Sequence, residues 1–272
     1  MSQFLLSELV ALRLYIQALN IFMVIFVSAN LFAFQFSPLT QEFDASGAGS
    51  AKTYTIVNDS DEPIAIQISA LTRSQDSKNG DEINTPADNY FTIVHPKTIV
   101  QPQSSEIVRV LYKGPKTVSS ELAFRIRAEQ LPYSQGRNTD NNSMFNFLYV
   151  YTTSAYVKPA NVVQNVLVRK VAPSTSIQQI EDNAGNTVEQ QVETMAVTLS
   201  NMGTVHQSLT DVTLIVSDST GKTVKLQGSE QLSGLLATNI LAKKTITKQI
   251  PWPSKLSRKD GVKYRYSFQI ND

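Results

Sequence analysis

The stretch ELAFRIRAEQL, residues 121–131, decides the fold class of this chain because its side chains alternate in character. Successive residues of a strand point to opposite faces of a sheet. One face of the stretch is apolar and carries Leu122, Phe124, Ile126 and Ala128. The other face is charged and carries Arg125, Arg127 and Glu129. This alternation predicts a half-buried β-strand, with one face on a hydrophobic core and the other in water.

Short runs with strand character recur on both sides of Pro159. Before this proline they are residues 51–58, 63–73, 89–96, 105–113 and 121–131, and after it residues 162–171, 193–201, 210–217, 222–228, 244–250 and 262–270. Turn-forming residues separate the runs, and DNAGN (182–186) and DSTGK (218–222) are typical of hairpin turns. No convincing amphipathic helix follows Gln35. We therefore predict an all-β protein of two β-sandwich domains, at residues 34–158 and 164–272, joined by a hinge at 159–163.

The stretch MFNFLYVYTTSAYVKP, residues 144–159, departs from simple alternation. A strand with one wet face should alternate apolar with polar residues. Here one face carries Phe145, Phe147, Tyr149 and Tyr151, and the opposite face carries apolar Leu148 and Val150 as well as polar residues. The stretch therefore needs something to cover its second face.

The charge balance and the lack of cysteine exclude several classes of protein. The chain has 24 basic and 23 acidic residues, so it carries no global field that would attract nucleic acid. It contains no cysteine, which rules out disulfides and thiolate zinc sites.

The N-terminal residues have the form of a secretory signal peptide. Residues 21–34 form a short uncharged apolar run, and its second half contains small residues suited to cleavage after Ala29 or Ala33. We therefore predict that residues 1–33 are an export signal, cleaved after Ala29 or Ala33. The alternative is a single membrane anchor, formed if the apolar run extends back through Leu14.

Catalytic and cofactor motifs are missing from the sequence. Its two histidines, His95 and His206, fall in different predicted domains and are expected to be exposed loop residues. No phosphate-binding, dinucleotide-binding, nucleophile-elbow or metalloprotease motif occurs. We therefore predict a non-enzymatic protein without a cofactor, a metal ion or a small-molecule substrate.

Several segments together resemble a known family. They are, in chain order, FSPLTQEFDASG, YTIVNDSDEPIAIQI, FTIVHPKTIVQPQSSEIVRVLYKG, ELAFRIRAEQLP and YVKPANV. Their order is similar to that in the periplasmic pilus-assembly chaperones of the chaperone–usher pathway, the PapD-type family, and the resemblance runs from about Phe36 to Asp272. It implies two immunoglobulin-like sandwiches set at an angle, with a cleft between them. It also implies that the protein binds pilus subunits in the periplasm and delivers them to an outer-membrane usher.

The resemblance assigns a role to the unusual stretch. Pilus subunits of this pathway are incomplete immunoglobulin-like domains, and the chaperone lends them the last strand of its first domain. By position, the lent residues here are Phe145, Phe147, Tyr149 and Tyr151. On this interpretation Leu148 and Val150 pack inward, while the aromatic face awaits the subunit.

Two polar groups of residues also follow from the resemblance. The family has an interdomain charge cluster, whose positions here are Glu121, Lys158 and Asp272. The family also binds the terminal carboxylate of the subunit with an arginine and a lysine, and these positions here are Thr40 and Ser154. If Glu121 lies opposite Lys158 on antiparallel strands, the same register places Arg125 opposite Ser154. We therefore expect Arg125 to supply the charge of this carboxylate anchor, with hydroxyl donors from Thr40 and Ser154.

Two other functions remain open from the sequence. One is a secreted or surface immunoglobulin-like protein with an adhesive or structural role and no chaperone activity. The other is an enzyme on a sandwich scaffold, for which the sequence offers no polar cluster. A self-dimer that caps the exposed strand is a further expectation.

Overall fold

The computed structural model describes residues 34–133, 147–181 and 185–271. The predicted signal segment, Phe145 and Asp272 lie outside the described residues. Within these ranges, no helix is both long enough and apolar enough to cross a membrane.

The first domain consists of short strands in two facing sheets. The strands are β1 (Gln35–Ser37), β2 (Thr40–Asp44), β3 (Ala51–Asn58), β4 (Ile64–Thr72), β5 (Ser74–Gln75), β6 (Glu82–Ile83), β7 (Phe91–Val94), β8 (Lys97–Val100), β9 (Ser104–Tyr112), β10 (Leu122–Leu131) and β11 (Val150–Lys158). One sheet has the order β1-β3-β9-β7 and the other the order β2-β11-β10-β4-β8, and β5 and β6 form a separate ribbon. A single 3-10 turn (Ala48–Ser50) precedes β3. The pair β2–β11 is parallel, whereas β11 and β10 are antiparallel.

The alternating stretch behaves as its sequence predicts. In β10 the side chains of Phe124, Ile126 and Ala128 are buried in the core between the two sheets, and those of Arg125 and Arg127 lie on the outer face. Apolar side chains from both sheets fill this core, which extends from Phe34 to Val157. The burial of one face of each strand is what holds the sandwich together.

The second domain is also built from strands. They are β12 (Val166–Glu181), β13 (Thr187–Asn201), β14 (Gln207–Ser208), β15 (Val212–Ser217), β16 (Thr223–Leu226), β17 (Asn239–Ile240), β18 (Thr245–Pro251) and β19 (Arg265–Ile270). They form sheets of order β12-β13-β18 and β16-β15-β19, with a ribbon of β14 and β17. The short helix α1 (Gly228–Gln231) precedes β17. The core of this domain runs from Val166 to Tyr264 and shares no residue with the first core. The all-β fold class with two domains is confirmed.

The first hairpin of the second domain is longer than the sequence predicts. β12 and β13 contain 16 and 15 residues, and their outer halves extend beyond the part of β13 that pairs with β18. Side chains on the extension are largely exposed, and Ile177 retains 68% of its surface. The prediction of shorter strands is wrong because the extension is polar and buries little, so its sequence carries no core pattern. DSTGK is confirmed as a hairpin turn, since Ser217 and Thr223 pair across it.

A buried asparagine fixes the end of a strand in each domain. The Nδ2 group of Asn58 donates to the carbonyls of Glu62 and Val100 at 2.8 and 3.1 Å. Asn201 does the same in the second domain, where its Nδ2 donates to the carbonyls of Val205 and Ile240 at 2.8 and 2.9 Å. Because buried amides must be hydrogen-bonded, each asparagine determines the course of the loop after its strand. The loop after Asn201 carries His206 to the first domain.

The connection between the domains is hydrogen-bonded to this same loop. The Val163 N–H donates to Thr204 Oγ1 at 2.8 Å, and the Thr204 N–H donates to the Val163 carbonyl at 2.8 Å. Gly203 is required here, because a Cβ atom at this position would lie 2.3 Å from the Val163 carbonyl oxygen. The last residue of the predicted hinge, Val163, is therefore hydrogen-bonded to the second domain.

Candidate functional site

Strand β11 has an unpaired edge over its first residues. On one side it pairs with β10, from Val150 opposite Glu129 to Val157 opposite Leu122. On the other side it pairs with β2 only from Ser154 onward. In the described part of the chain, residues 150–153 therefore have a neighbouring strand on one side only. Such an edge is a template for pairing with a strand of another chain.

The backbone groups at this edge point outward. The Ser154 N–H donates to the Leu39 carbonyl at 2.8 Å, on the β2 side. The Gln130 N–H donates to the Tyr149 carbonyl at 2.9 Å, on the β10 side. Because backbone groups alternate between the two edges of a strand, the N–H and C=O groups of Val150 and Thr152 face the open side. These groups are available to a partner strand.

Apolar side chains surround the open edge. Phe147 is 69% exposed, and Leu148 and Val150 are each 47% exposed. Tyr149 and Tyr151 are half-buried against the core of the first domain. The ring of Tyr151 meets Phe34 edge-on, with 4.7 Å between ring centroids. The surface at this edge is therefore unusually apolar for a strand that lacks a neighbour.

The prediction that Leu148 and Val150 pack inward is wrong. The buried residues Thr153, Ala155 and Val157 fix which face of β11 points to the core, and Tyr151 lies on that same face. Val150 and Thr152 consequently lie on the outer face. Phe147 precedes the strand and is exposed, and Phe145 lies outside the described residues. Whether the aromatic residues enter a partner stays a prediction.

Three side chains lie in a row across β10, β11 and β2. Arg125 lies opposite Ser154, and Ser154 lies opposite Thr40. The register that the sequence predicts for Arg125 and Ser154 is thereby confirmed. Arg125 Nη1 donates to Ser154 Oγ at 2.6 Å, which fixes the guanidinium above the outer face of the sheet.

Arg125 also binds a carboxylate, that of Glu82, which no sequence pattern indicated. Glu82 in β6 accepts a hydrogen bond from Arg125 Nε at 2.7 Å on Oε1 and one from Arg73 Nε at 2.8 Å on Oε2. Burial by itself would raise the pKa of Glu82, but the hydrogen bond from Arg125 and the charges of Arg73 and Arg125 outweigh it and lower the pKa to about 2. Glu82 is therefore an ionised carboxylate between two guanidinium groups.

The predicted interdomain cluster has a different composition. The Glu121 side chain is 3% exposed, and its Oε1 lies 2.8 Å from His206 Nδ1 and accepts a hydrogen bond from the His206 N–H at 3.1 Å. Lys158 pairs instead with Glu42 on the neighbouring strand β2. The prediction that Lys158 pairs with Glu121 is wrong, because the flexible lysine stem keeps its charge in water while Glu121 lies beneath the second domain. Asp272, the third predicted member, lies outside the described residues.

His206 lies at the interface between the domains. Its ring stacks on Tyr156, with 3.9 Å between ring centroids and 13° between planes. The Tyr156 hydroxyl accepts hydrogen bonds from Arg73 Nη1 at 2.5 Å and from Asn239 Nδ2 at 2.9 Å. The prediction of an exposed loop histidine is wrong for His206, whereas His95 is exposed as predicted. The sequence signal for the stacking of His206 on Tyr156 was that Tyr156 is an aromatic residue on the otherwise polar face of β11.

The polar side chains described above form ion pairs and hydrogen bonds between elements and domains, and these contacts hold the strands and domains in place. Among the residues that the structure describes, no group of three or more His, Cys, Asp and Glu side chains could hold a metal ion. The feature available to a ligand is thus a strand edge with an adjacent arginine.

Comparisons with known proteins agree with this architecture. Residues 42–162 match the family model described as pili and flagellar-assembly chaperone, PapD N-terminal domain. A chain of the CsuC–CsuE chaperone–tip adhesion subunit pre-assembly complex of Acinetobacter baumannii is 12% identical, with a TM-score of 0.51 over 87% of this chain and 97% of that one. The class 5 fimbriae chaperone CfaA is 14% identical, with a TM-score of 0.50 over 88% of this chain and 100% of that one. At these identities the two structures show a shared fold. No curated protein sequence matches the chain.

Proposed function

We propose that this chain, whose residues 42–162 match the model of the PapD-type pilus-assembly chaperones, binds pilus subunits through the open edge of β11. The observation that carries the proposal is the outer edge of residues 150–153, which has no neighbouring strand among the described residues, beside the exposed ring of Phe147. A family of assembly chaperones implies a non-enzymatic role. The alternative of an immunoglobulin-like adhesive or structural protein without chaperone activity is not favoured by the family match.

The binding step is strand addition to a sheet edge. The free N–H and C=O groups of Val150 and Thr152 supply main-chain hydrogen bonds to a strand of the subunit. Phe145, Phe147, Tyr149 and Tyr151 are the proposed donor residues that fill the open groove of an incomplete immunoglobulin-like domain. Burying an exposed ring such as Phe147 contributes about 1.5–3 kcal/mol before the costs of association, and the half-buried rings of Tyr149 and Tyr151 contribute less. Backbone pairing thus supplies affinity, and the aromatic side chains supply the fit.

The terminal carboxylate of the subunit is the second proposed contact. Arg125 lies next to Ser154 Oγ, and Thr40 begins the neighbouring strand. An arginine bound to one hydroxyl group, with a second hydroxyl on the next strand, suits a carboxylate, since charge-assisted hydrogen bonds are stronger than neutral ones. This contact would fix the register of the subunit strand along β11.

The family match also supports a proposal for the location and the remaining partners. We infer that the protein acts in the periplasm after export by residues 1–33, and that it transfers subunits to an outer-membrane usher. Without a subunit, the same strand edge is open to a second copy of the chain. A self-dimer would therefore compete with subunit binding.

The test of this function is co-expression of the chain with pilus subunits encoded beside it. Phe147→Asp should reduce recovery of the chaperone–subunit complex by at least about tenfold, because a carboxylate cannot enter an apolar groove without a large desolvation cost. Co-purification and size-exclusion chromatography measure the complex.

Ile107→Asp is the matched control for Phe147→Asp. Ile107 is also 69% exposed, but it lies on β9 in the opposite sheet. Ile107→Asp should leave capture unchanged. Equal capture by Phe147→Asp and the control would show that Phe147 is not part of the donated strand.

A further inference from the structure

The ribbon of β5 and β6 places a carboxylate of the chain itself on the proposed anchor. Glu82, at the start of β6, binds Arg125 through Nε and Nη2, so the two groups form a bidentate pair. The same carboxylate also accepts the hydrogen bond from Arg73 Nε. In this conformation the guanidinium that the proposed function assigns to a subunit carboxylate is already bound to one.

The two arginines need a carboxylate partner. Their side chains are only 10% and 18% exposed for Arg73 and Arg125, respectively. A largely buried cation that loses its partner is strongly destabilising, because it has neither water nor an opposite charge around it. Two guanidinium groups share the single carboxylate of Glu82, so this site carries an excess of positive charge. It is suited to binding an incoming carboxylate.

The element that holds Glu82 is small. β5 and β6 contain two residues each, and the chain that follows β6 is bonded to β4, where the Thr72 N–H donates to the Thr85 carbonyl at 2.7 Å and the Ala87 N–H donates to the Ala70 carbonyl at 2.9 Å. The ribbon itself is bound to the second domain through the Gln75 side chain of β5, whose Nε2 donates to the Asn239 carbonyl at 2.6 Å and whose Oε1 accepts from the Leu241 N–H at 2.9 Å. The backbone bonds to β4 keep β6 in place, so an exchange of ligands at the two arginines needs only the Glu82 side chain to change rotamer while the strand stays paired.

We propose that Glu82 is a built-in substitute ligand, which occupies Arg125 and Arg73 in the free protein and is replaced by the terminal carboxylate of a bound subunit. The proposal rests on the function proposed above. The exchange is neutral in charge, because one carboxylate enters as another leaves, and neither arginine is left buried without a partner. Glu82 would thus keep Arg125 and Arg73 ordered when no subunit is bound. A subunit carboxylate would have to bind the two arginines more strongly than Glu82 does in order to replace it.

Acetate and acetamide provide a test that needs no subunit. They have nearly the same shape, but only acetate carries the charge. The side-chain Nε–Hε signals of Arg73 and Arg125 would be followed by NMR in the wild-type protein and in Glu82→Gln, at constant ionic strength. Acetate should perturb these signals at an at least about tenfold lower concentration in Glu82→Gln, and acetamide should have no such effect.

Glu129→Gln is the matched control. Glu129 lies on the outer face of the same sheet, where it pairs with Arg127 at 3.1 Å, and it does not contact Arg125. The control should respond to acetate as the wild-type protein does. Thermal unfolding verifies that each variant is folded, and Glu82→Asp, which withdraws the carboxylate by one methylene group, is the second variant should Glu82→Gln not fold.

The outcomes separate this inference from the function on which it rests. Equal acetate responses of wild type and the Glu82 variants overturn the role of Glu82, even if the protein captures subunits. A shifted acetate response together with tighter subunit capture by Glu82→Gln supports it. A shifted response without capture by any variant refutes the chaperone function, and with it the subunit as the source of the carboxylate.

Discussion

Glu82 is the residue whose ionisation is most clearly tied to the folded state. Its pKa falls from an ordinary value of 4.5 to about 2 between Arg73 and Arg125. A group with a lowered pKa in the folded protein binds its proton more readily in the unfolded chain. The ion pair therefore stabilises the folded protein above pH 4.5, and this contribution is lost as the pH falls from 4.5 towards 2.

This linkage predicts an acid-dependent difference between two variants. The free energy of unfolding of the wild-type protein should fall more steeply between pH 5 and pH 3 than that of Glu82→Gln, which has no carboxylate to protonate. Urea unfolding at several pH values measures the difference. Glu129→Gln, which removes an exposed ion pair, should keep nearly the wild-type slope, and equal slopes for all three proteins would refute the assignment.

At the scale of the element, β11 performs two tasks along its length. Its later half, from Ser154, lies between β10 and β2 and is part of the sandwich. Its first residues pair with β10 alone and leave one row of backbone groups free. The same strand can therefore be anchored in one domain and extend another, because strand pairing needs only backbone groups.

The open edge predicts an unusual tolerance for proline. The Thr152 N–H faces the open side, so Thr152→Pro should destabilise the free protein little. It should nevertheless abolish subunit capture, because proline removes the donor that the subunit strand needs. Circular dichroism and co-purification measure the two properties.

Two substitutions serve as controls for this prediction. Thr152→Ala keeps the N–H group and should capture subunits normally. Thr153→Pro should unfold the domain more readily, since the Thr153 N–H faces β10 and its side chain is buried. Capture by Thr152→Pro at the wild-type level would show that the subunit does not pair along this edge.

At the scale of the whole molecule, the domains are joined by buried polar contacts. Glu121 links them through His206, and its own N–H donates to the Thr204 carbonyl at 2.7 Å. Tyr156 adds a stacked ring and a hydrogen bond from Asn239. Polar contacts of this kind fix one relative position of two domains, because each donor and acceptor must find its partner.

Double-mutant cycles would distinguish the observed ion pairs from the predicted one. We expect a coupling energy of about 1–3 kcal/mol between Glu121 and His206, because removing either leaves a largely buried polar group unsatisfied. Lys158 and Glu42 should couple by about 0.2–1 kcal/mol, as an exposed pair does. Chemical unfolding measures both. Strong coupling between Glu121 and Lys158 would contradict the contacts described above.

The sequence by itself determined the fold class and most strands of both domains, and the family resemblance supplied the register that brings Arg125 to Ser154. The fold class and the strands depend on the alternation of apolar and polar residues and on local turn residues, both of which can be read directly from the sequence. The distinction between core and surface in β10 could be predicted for the same reason. It was also possible to single out the apolar start of β11 as a surface that needs a partner.

Only the tertiary structure decided which side chains meet across large distances in sequence. Arg125 binds Glu82, 43 residues away, and Glu121 binds His206, 85 residues away. No periodicity records such pairs, because they arise from the packing of loops and domains and not from neighbouring residues. The tertiary structure also decided that Tyr151 points towards the core. Because side chains alternate along a strand, the burial of Thr153 determines which face every other residue of β11 occupies. The sequence therefore specifies the strands and indicates that β11 needs a partner. The packing of the folded chain decides which charged side chains, Arg125 and Glu82, lie beside that strand.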